Sequence, residues 1–318
     1  MYDGAAIVDP IWSGRLLLTG ADRRSYLQGL LTNDIEALTP GTGCYAVMLN
    51  AQGRMLADMG VFELGDAVLL VLPAGVTAAV RDHFERFVIT EDVQVLDVSA
   101  SRPAVGLYGP LADDVLDRVP LEGKRPVSLY GSTHLRVGGR DALLLRDDDP
   151  GISGYEIVAD LESAAAVRDT LRGAGAISAS ESDVETVRIE RGRPRFGADM
   201  DTDTIPLEAG LDRALSRTKG CYVGQEVIIR VIDRGHGRVA RRLVGLTFDP
   251  DASVPAPGTP VTSGDRQIGQ TTSAAWSPAL DRPIALGYVH RDFVAPGTLV
   301  HVGASAGRVA EPPFVEVR

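Results

Sequence analysis

The sequence predicts an α+β fold that ends in a small β-barrel. Strand-like and helix-like segments alternate along most of the chain, but hairpins interrupt the alternation, which argues against a doubly wound parallel sheet. From about residue 238 onward, short strand-like runs are separated by turns rich in proline and glycine. The chain has 318 residues, 44% hydrophobic and 24% charged, an ordinary composition for two or three domains with separate cores.

In the first part of the chain, apolar runs and turn residues define the predicted elements. A short buried strand covers 15–18, and Asp22 can cap the helix that follows it. The turn Asn50–Gly53 joins two strands into a hairpin. The other predicted elements here are strands at 45–49, 54–64, 67–72, 93–98 and 104–108, and helices at 76–88 and 111–116. This order predicts mixed or antiparallel sheets covered by helices.

Between residues 132 and 192, short strands give way to helices. Gly173 suits the end of one helix, and Ser182 with Glu185 has the capping-box spacing that opens the next. The predicted elements are strands at 132–137, 142–145 and 155–158 and helices at 161–172 and 182–191.

The last part of the chain predicts a separate β domain. Its strand-like runs lie at 243–248, 260–262, 267–272, 284–290 and 299–302. Five or six short strands at this spacing are typical of a small β-barrel or sandwich. We therefore predict two domains, an α+β region at 1–237 and a β-barrel at 238–318.

Composition excludes several classes of protein. The net charge of −11 and a pI of about 5.0 argue against coating nucleic acid by bulk charge. Two cysteines and five histidines form no spaced ligand set for a structural zinc, and they imply no disulfide framework. We see no secretory leader, and the charge-poor run at 67–80 is too short to span a bilayer. We expect a cytoplasmic protein with no membrane partner.

One stretch near the end of the α+β region combines a cysteine, a lysine and two glycines. Lys219 and the start of a following helix would both favour the thiolate form of Cys221. A tight turn around a small buried cysteine explains the same pattern equally well. The motif consists of Lys219, Gly220, Cys221, Tyr222, Val223, Gly224, Gln225 and Glu226.

Two charged residues stand in apolar surroundings. Asp58 lies in a strand with apolar residues on both faces, so its carboxylate needs a partner or a shifted pKa. Structural and functional roles are about equally favoured for it. Arg188 shares a helix face with Val184 and Val187, where a structural ion pair is the favoured interpretation. Glu156 by itself is typical of an exposed strand residue.

Other charged clusters carry weaker predictions. The acidic run 147–149 is predicted to be a solvated loop, and the sequence contains no Walker A motif or nucleophile elbow. A local basic stripe indicates either a solvated surface or a contact with an anion, a polyglutamate chain or, more weakly, RNA. Its members are Arg230, Arg234, His236, Arg238, Arg241 and Arg242.

The motif around Cys221 resembles the signature of the YgfZ family, and the rest of the chain resembles the folate-binding fold of the glycine-cleavage T-protein, an aminomethyltransferase. The stretches that carry the second resemblance lie at 27–34, 49–54, 154–156, 188–197 and 206–211. Together they cover essentially the whole chain in order.

The resemblance implies a binding site for tetrahydrofolate or another reduced folate. By motif, the folate contacts fall on Tyr45, Asp58, Glu156 and Arg188, with Asp58 near the reactive end of the pterin. It also implies two intertwined lobes around a central pocket, with the barrel as a third lobe. Two departures from the T-protein are Ala57, where a second acid is expected, and the loop at 147–149, where an aromatic residue is expected.

The YgfZ resemblance predicts an accessory factor for the assembly or repair of iron–sulfur enzymes, including enzymes that modify tRNA. Cys221 would be its functional thiol. It could ligate a transient cluster, which needs further ligands from an iron–sulfur carrier, a client protein or a second chain, or it could exchange with a folate-bound one-carbon group. The alternative is a folate-dependent aminomethyltransferase or demethylase with Asp58 as its base. The two hypotheses make opposite predictions for substitutions at these two residues.

Overall fold

The structure, a computed structural model, describes residues 1–235 and 237–317, with the backbone alone for Arg234. The first twelve strands are β1 (Ala6–Val8), β2 (Ser13–Thr19), β3 (Gly43–Leu49), β4 (Met55–Glu63), β5 (Val68–Pro73), β6 (Gln94–Asp97), β7 (Ala104–Tyr108), β8 (Leu121–Glu122), β9 (Ser132–Val137), β10 (Arg140–Asp147), β11 (Gly154–Val158) and β12 (Ile177–Ser178). The α-helices are α1 (Arg23–Leu30), α2 (Thr77–Phe87), α3 (Ala112–Asp117), α4 (Leu161–Gly173), α5 (Glu181–Glu190) and α6 (Gln225–Ile229).

Two sheets form the α+β region. The five-stranded sheet has the order β3-β4-β5-β2-β6 and is antiparallel throughout. The seven-stranded sheet has the order β12-β1-β7-β11-β10-β9-β8 and contains one parallel pair, β1 with β12. In the β3–β4 hairpin, the Asn50 side chain accepts hydrogen bonds from the backbone amides of Gln52 and Arg54, which fixes the turn.

The alternation of side chains along the strands gives each sheet an outer and an inner face. On the outer faces, α1 and α2 cover the five-stranded sheet, and α3 and α4 cover the seven-stranded sheet. The inner faces share one core, which includes Tyr45 and Val47 of β3 and Leu143, Leu145 and Val158 of β10 and β11. Polar side chains that lie between the two sheets are therefore surrounded by an apolar core.

The C-terminal strands close into a six-stranded barrel in the order β13-β16-β15-β14-β17-β18. They are β13 (Arg241–Phe248), β14 (Pro260–Ser263), β15 (Arg266–Ser277), β16 (Arg282–His290), β17 (Leu299–Val302) and β18 (Ser305–Ala310). Helix α5 packs on the barrel through Ile189, which clusters with Ile284 and Leu286 of β16. The predicted α+β fold with a C-terminal β-barrel is confirmed.

Local details correct the sequence predictions. Helix α5 begins at Glu181 because Ser180 has the extended backbone of an N-cap and forms a capping box with Asp183. The predicted box of Ser182 and Glu185 is therefore wrong by two residues. The helix predicted to follow Cys221 is α6, which has only five residues and continues into a π-helical turn, Arg230–Arg234. Among the described residues, no helix has the length and apolar character needed to cross a bilayer.

Candidate functional site

A cavity of about 520 Å³ lies between the two sheets and is bounded on one side by the segment 193–198. Tyr45, Asp58, Glu156 and Arg188 all line it. The structure thus brings together the four residues that the resemblance implied as folate contacts, although they come from β3, β4, β11 and α5.

Asp58 and Tyr45 form a hydrogen-bonded pair on the inner face of the β3–β4 hairpin. The strand register places Val47 opposite Asp58 and Gly60 opposite Tyr45, so the two polar side chains are diagonal neighbours on one face. The Tyr45 hydroxyl donates to Oδ2 of Asp58 at 2.5 Å. The other oxygen, Oδ1, is buried and has no hydrogen-bond partner. Burial raises the pKa of Asp58 above its ordinary value.

Glu156 joins the two sheets. Its Oε2 accepts a hydrogen bond from Arg15 of β2 at 2.9 Å, and the two side chains are only 2% and 3% exposed. Burial raises the pKa of Glu156, while the charge of Arg15 and its hydrogen bond oppose the rise. Glu156 is therefore a buried, paired carboxylate and not the exposed strand residue that its local sequence indicates.

Arg188 lies on the cavity wall, but its hydrogen bonds are made within the protein. Nη1 donates to Oδ2 of Asp199 at 2.6 Å and to the Arg193 carbonyl at 2.7 Å. Nη2 donates to Ser273 of the barrel at 2.8 Å, and Nε and Nη2 both donate to Glu185. Since a guanidinium has five N–H groups, all are used. The structural ion pair favoured by the sequence is what the structure contains.

Cys221 lies apart from these four residues. It is exposed and is not among the residues that line the cavity. The lysine that was expected to activate it is engaged elsewhere, since Nζ of Lys219 donates to the carbonyls of Gln28, Leu31 and Asn33 at 2.6, 2.7 and 2.7 Å. These bonds use all three N–H groups of the ammonium.

The other residues of the motif also have structural roles. Tyr222 is buried beneath the Lys219 ammonium, 5.2 Å from it. Gly224 has a φ of +81°, and a Cβ there would approach the Asn50 carbonyl oxygen to 2.5 Å. The helix expected to begin beside Cys221 is only the five-residue α6. Lys219 and α6 therefore both have structural roles in this loop. Gln225 begins α6, and Glu226 pairs with Arg230 one turn later.

The acidic run 147–149 is not the solvated loop that the sequence predicts. Asp147 ends β10 on the inner face and lines the cavity together with Asp149. Burial, with Glu156 and Asp149 nearby, holds the pKa of Asp147 well above its usual range. Asp149 accepts a hydrogen bond from the Trp12 indole at 2.7 Å. Extending the predicted strand 142–145 by two residues would have placed Asp147 on the same face as Leu145.

Arg193 is a further cavity residue that sequence reasoning missed as a site residue. Its guanidinium carbon lies 4.8 Å from the centre of the Tyr45 ring. The signal was present in the sequence, because Arg193 stands five residues after Arg188 in a stretch rich in arginine.

The basic stripe does not form one surface of unpaired cations. Arg230 pairs with Glu226 at 2.6 Å, and Arg241 pairs with Glu208 at 3.1 Å. His236 and the Arg234 side chain fall outside the described residues. Within the described part of the chain, no group of three or more histidine, cysteine or acidic side chains is arranged to hold a metal ion.

Comparisons with known proteins agree with this architecture. The model of the GCVT N-terminal domain matches residues 1–219, and the model of the glycine cleavage T-protein C-terminal barrel domain matches residues 241–316. An aminomethyltransferase from Nostoc sp. is 29% identical over 323 residues, covering 99% of this chain and 81% of the relative. One from Thermosynechococcus vestitus is 31% identical over 281 residues, covering 88% and 75%.

A solved structure has the same fold. The crystal structure of the glycine cleavage system aminomethyltransferase T from Bartonella henselae superposes with a TM-score of 0.89 and 24% sequence identity. The superposition covers 99% of this chain and 87% of that one.

These relatives correct the leading functional hypothesis. Because the relatives that match most of the chain are named aminomethyltransferase, the prediction of a YgfZ-type accessory factor with iron–sulfur partners and a role in tRNA modification is wrong. The alternative, a folate-dependent aminomethyltransferase, is favoured instead. The two family models together match most of the chain, which therefore belongs to the glycine cleavage T-protein family.

Proposed function

We propose that this protein is a folate-dependent aminomethyltransferase in which Asp58 is the general base. The observation that carries the proposal is the buried Oδ1 atom of Asp58, which lies without a hydrogen-bond partner in a residue that lines the central cavity. A buried polar atom left unpaired costs free energy, and such atoms are enriched where a ligand completes the hydrogen bonding. Family membership supports the same reaction.

The residues of the cavity fit a reduced folate. The T-protein family uses tetrahydrofolate as substrate or cofactor. A volume of about 520 Å³ lies within the range of small-molecule sites. Tyr45 and Tyr130, stacked with an interplanar angle of 9°, offer flat apolar surface for a ring system. The carboxylates of Asp58 and Glu156 accept hydrogen bonds from ring N–H groups. These four residues would hold the folate, while Arg188 orders the wall behind them.

Bound tetrahydrofolate would supply the nitrogen nucleophile that takes up the one-carbon unit. A proton must leave that nitrogen, and Oδ1 of Asp58 is the free acceptor for it. The hydrogen bond from Tyr45 occupies Oδ2 and so fixes the orientation of the carboxylate. Because burial raises the pKa of Asp58, its carboxylate is a stronger base than an ordinary aspartate.

The first test is titration calorimetry of tetrahydrofolate into the wild-type protein and into Asp58→Asn. We expect saturable binding to the wild type and weaker binding to the variant, because the amide offers the ligand only one acceptor oxygen in place of a carboxylate. Cys221→Ala is the matched control and should bind like the wild type, since Cys221 lies outside the cavity. Absence of binding to the wild type would overturn the proposal.

A further inference from the structure

Three arginines line the cavity, and they differ in their partners. Arg188 pairs with Asp199 at 2.6 Å, and Arg195 pairs with Glu185 at 2.8 Å. Arg193 forms no ion pair with any carboxylate among residues 1–235 and 237–317, and its side chain is half-buried. Asp148 and Asp149 favour its charged form from a distance, but the position of a cation that forms an ion pair with neither still requires an explanation, because desolvation makes the charge costly.

The position of Arg193 provides that explanation. Its guanidinium lies over the face of Tyr45, 4.8 Å from the ring centre. The hydroxyl of the same ring donates to Oδ2 of Asp58. Arg193, Tyr45 and Asp58 thus form a continuous set along the cavity wall, with a cation at one end and a carboxylate at the other.

We propose that Arg193 is a positioning residue that supplies the counter-charge for Asp58 and keeps its free oxygen ionised near neutral pH. This inference rests on the proposed function, in which the ionised oxygen accepts the proton. Arg193 acts through the field it creates at Asp58 and through the Tyr45 ring that it covers. It is not required to touch the one-carbon unit.

The charges around Asp58 decide its protonation. Burial raises the pKa of Asp58, the hydrogen bond from Tyr45 and the charge of Arg193 lower it, and the charge of Asp149 raises it. Arg193 contributes the positive charge among these groups. Replacing it with a neutral side chain would remove one of the groups that oppose burial and Asp149, so the Asp58 carboxylate would take up a proton at higher pH.

Arg213 offers a matched comparison within the same chain. Its guanidinium carbon also lies over the Tyr45 ring, at 5.1 Å. However, it makes two hydrogen bonds to Asp148, at 2.6 and 3.0 Å, and it is not among the residues that line the cavity. Because a bidentate pair is nearly neutral at a distance, Arg213 contributes ring contact without a net charge.

The experiment measures the protonation of Asp58 directly in the folate-free protein. The carboxyl stretching band is followed by infrared difference spectroscopy across pH and assigned by its loss in Asp58→Asn. We expect Arg193→Gln to move the midpoint upward by about one pH unit or more, the size typical of losing a nearby opposite charge. Arg213→Gln should give less than half of that shift. Arg193→Lys should restore most of the wild-type midpoint, because it keeps the charge.

Three results would overturn the inference: an unchanged midpoint in Arg193→Gln, an equal shift in Arg213→Gln, or no rescue by Arg193→Lys. If Arg193→Gln does not fold, Asp149→Asn tests the same set of charges. It removes a negative charge that raises the pKa of Asp58, so it should lower the midpoint. The titration uses no folate. A failure of tetrahydrofolate to bind would therefore count against the proposed function, whereas a wrong midpoint pattern would count against the role of Arg193.

Discussion

The wall of the cavity around Asp58 and the loop around Cys221 both stand out in the sequence, yet they differ in how their polar groups are satisfied. At the cavity wall, Asp58 keeps one buried oxygen unpaired. In the loop, the three hydrogens of the Lys219 ammonium all reach backbone carbonyls. Gly224 closes the loop against the β3–β4 turn. The cavity wall retains an unpaired hydrogen-bond acceptor that a ligand can use. The loop uses its hydrogen-bonding groups to stabilise the fold.

This difference shows how an unusual motif can be interpreted. A lysine next to a cysteine predicts thiol chemistry only when the ammonium is free to act on the sulfur. Here Lys219 joins the loop to the C-terminal end of α1, where a positive charge suits the exposed carbonyls of the helix. A buried carboxylate oxygen that lacks a hydrogen-bond partner is the stronger functional signal, because folding alone does not favour it.

The largest expected effect is on turnover, and it should distinguish the cavity wall around Asp58 from the loop around Cys221. Asp58→Asn keeps the shape of the side chain but cannot take up the proton, so turnover should fall by about 10² to 10⁴-fold, the usual contribution of a general base. The assay follows the release of ammonia and the formation of the one-carbon folate from an aminomethyl donor.

Cys221→Ala is the control for that assay and should retain the wild-type rate, since the thiol is exposed outside the cavity. Full activity in Asp58→Asn, or a comparable loss in Cys221→Ala, would reverse the comparison between the two regions.

The second effect concerns stability. Lys219→Met removes three hydrogen bonds and leaves the carbonyls of Gln28, Leu31 and Asn33 without that donor. We expect the free energy of unfolding to fall by about 2 to 4 kcal/mol, given the cost of unmade bonds to a charged group. Urea unfolding followed by circular dichroism measures it. Cys221→Ser, at the exposed neighbouring thiol, should change stability little, and equal losses in both variants would contradict a structural role for the lysine.

A third prediction distinguishes the two glycines of the motif. Gly224 needs a positive φ of +81° and has no room for a Cβ beside Asn50. Gly220 has neither constraint, because nothing lies within 4 Å of an added Cβ. Gly224→Ala should therefore lower stability by about 1 to 3 kcal/mol, the usual cost of strained backbone, whereas Gly220→Ala should have little effect. Thermal melting of both variants tests this, and similar melting temperatures would count against it.

The sequence predicts the fold better than it predicts the site. Periodicity and turn residues were sufficient for the fold class and for five strands of the barrel. Strand β18 was missed because Ser305–Ala310 has few large apolar residues, and β1, β8 and β12 have only two or three residues each. Elements of that length have too little pattern of their own and are defined by pairing with their neighbours.

At the site, residues were found where they break a local pattern. Asp58 stood out because it interrupts an apolar strand, and the resemblance supplied Tyr45 and Glu156. Arg15 was missed because its partner Glu156 is 141 positions away, and no local pattern indicates such a pairing. Arg193 was missed as a site residue because its role depends on the Tyr45 ring, which only the folded chain brings beside it.

The smallest expected effect concerns a carboxyl group at the cavity wall. It tests whether the folded protein disfavours ionisation of that group. The Asp147 carboxyl is buried, and with Glu156 and Asp149 nearby its pKa is well above the ordinary value. The folded protein therefore binds this proton more tightly than the unfolded chain does. Its stabilising contribution is complete below the unfolded value of about 4 and is lost as pH rises through the folded pKa.

Asp147→Asn cannot ionise, so it escapes this loss. Unfolding free energies from urea titrations at pH 5 and pH 8 should show the variant gaining on the wild type as pH rises. Asp141→Asn removes the same charge from a side chain that is 94% exposed, and it controls for the change in net charge. A gap between Asp147→Asn and the wild type that shrinks as pH rises would mean that the fold stabilises this carboxylate. The cavity wall would then resemble the loop around Cys221, with its polar groups satisfied by the protein itself.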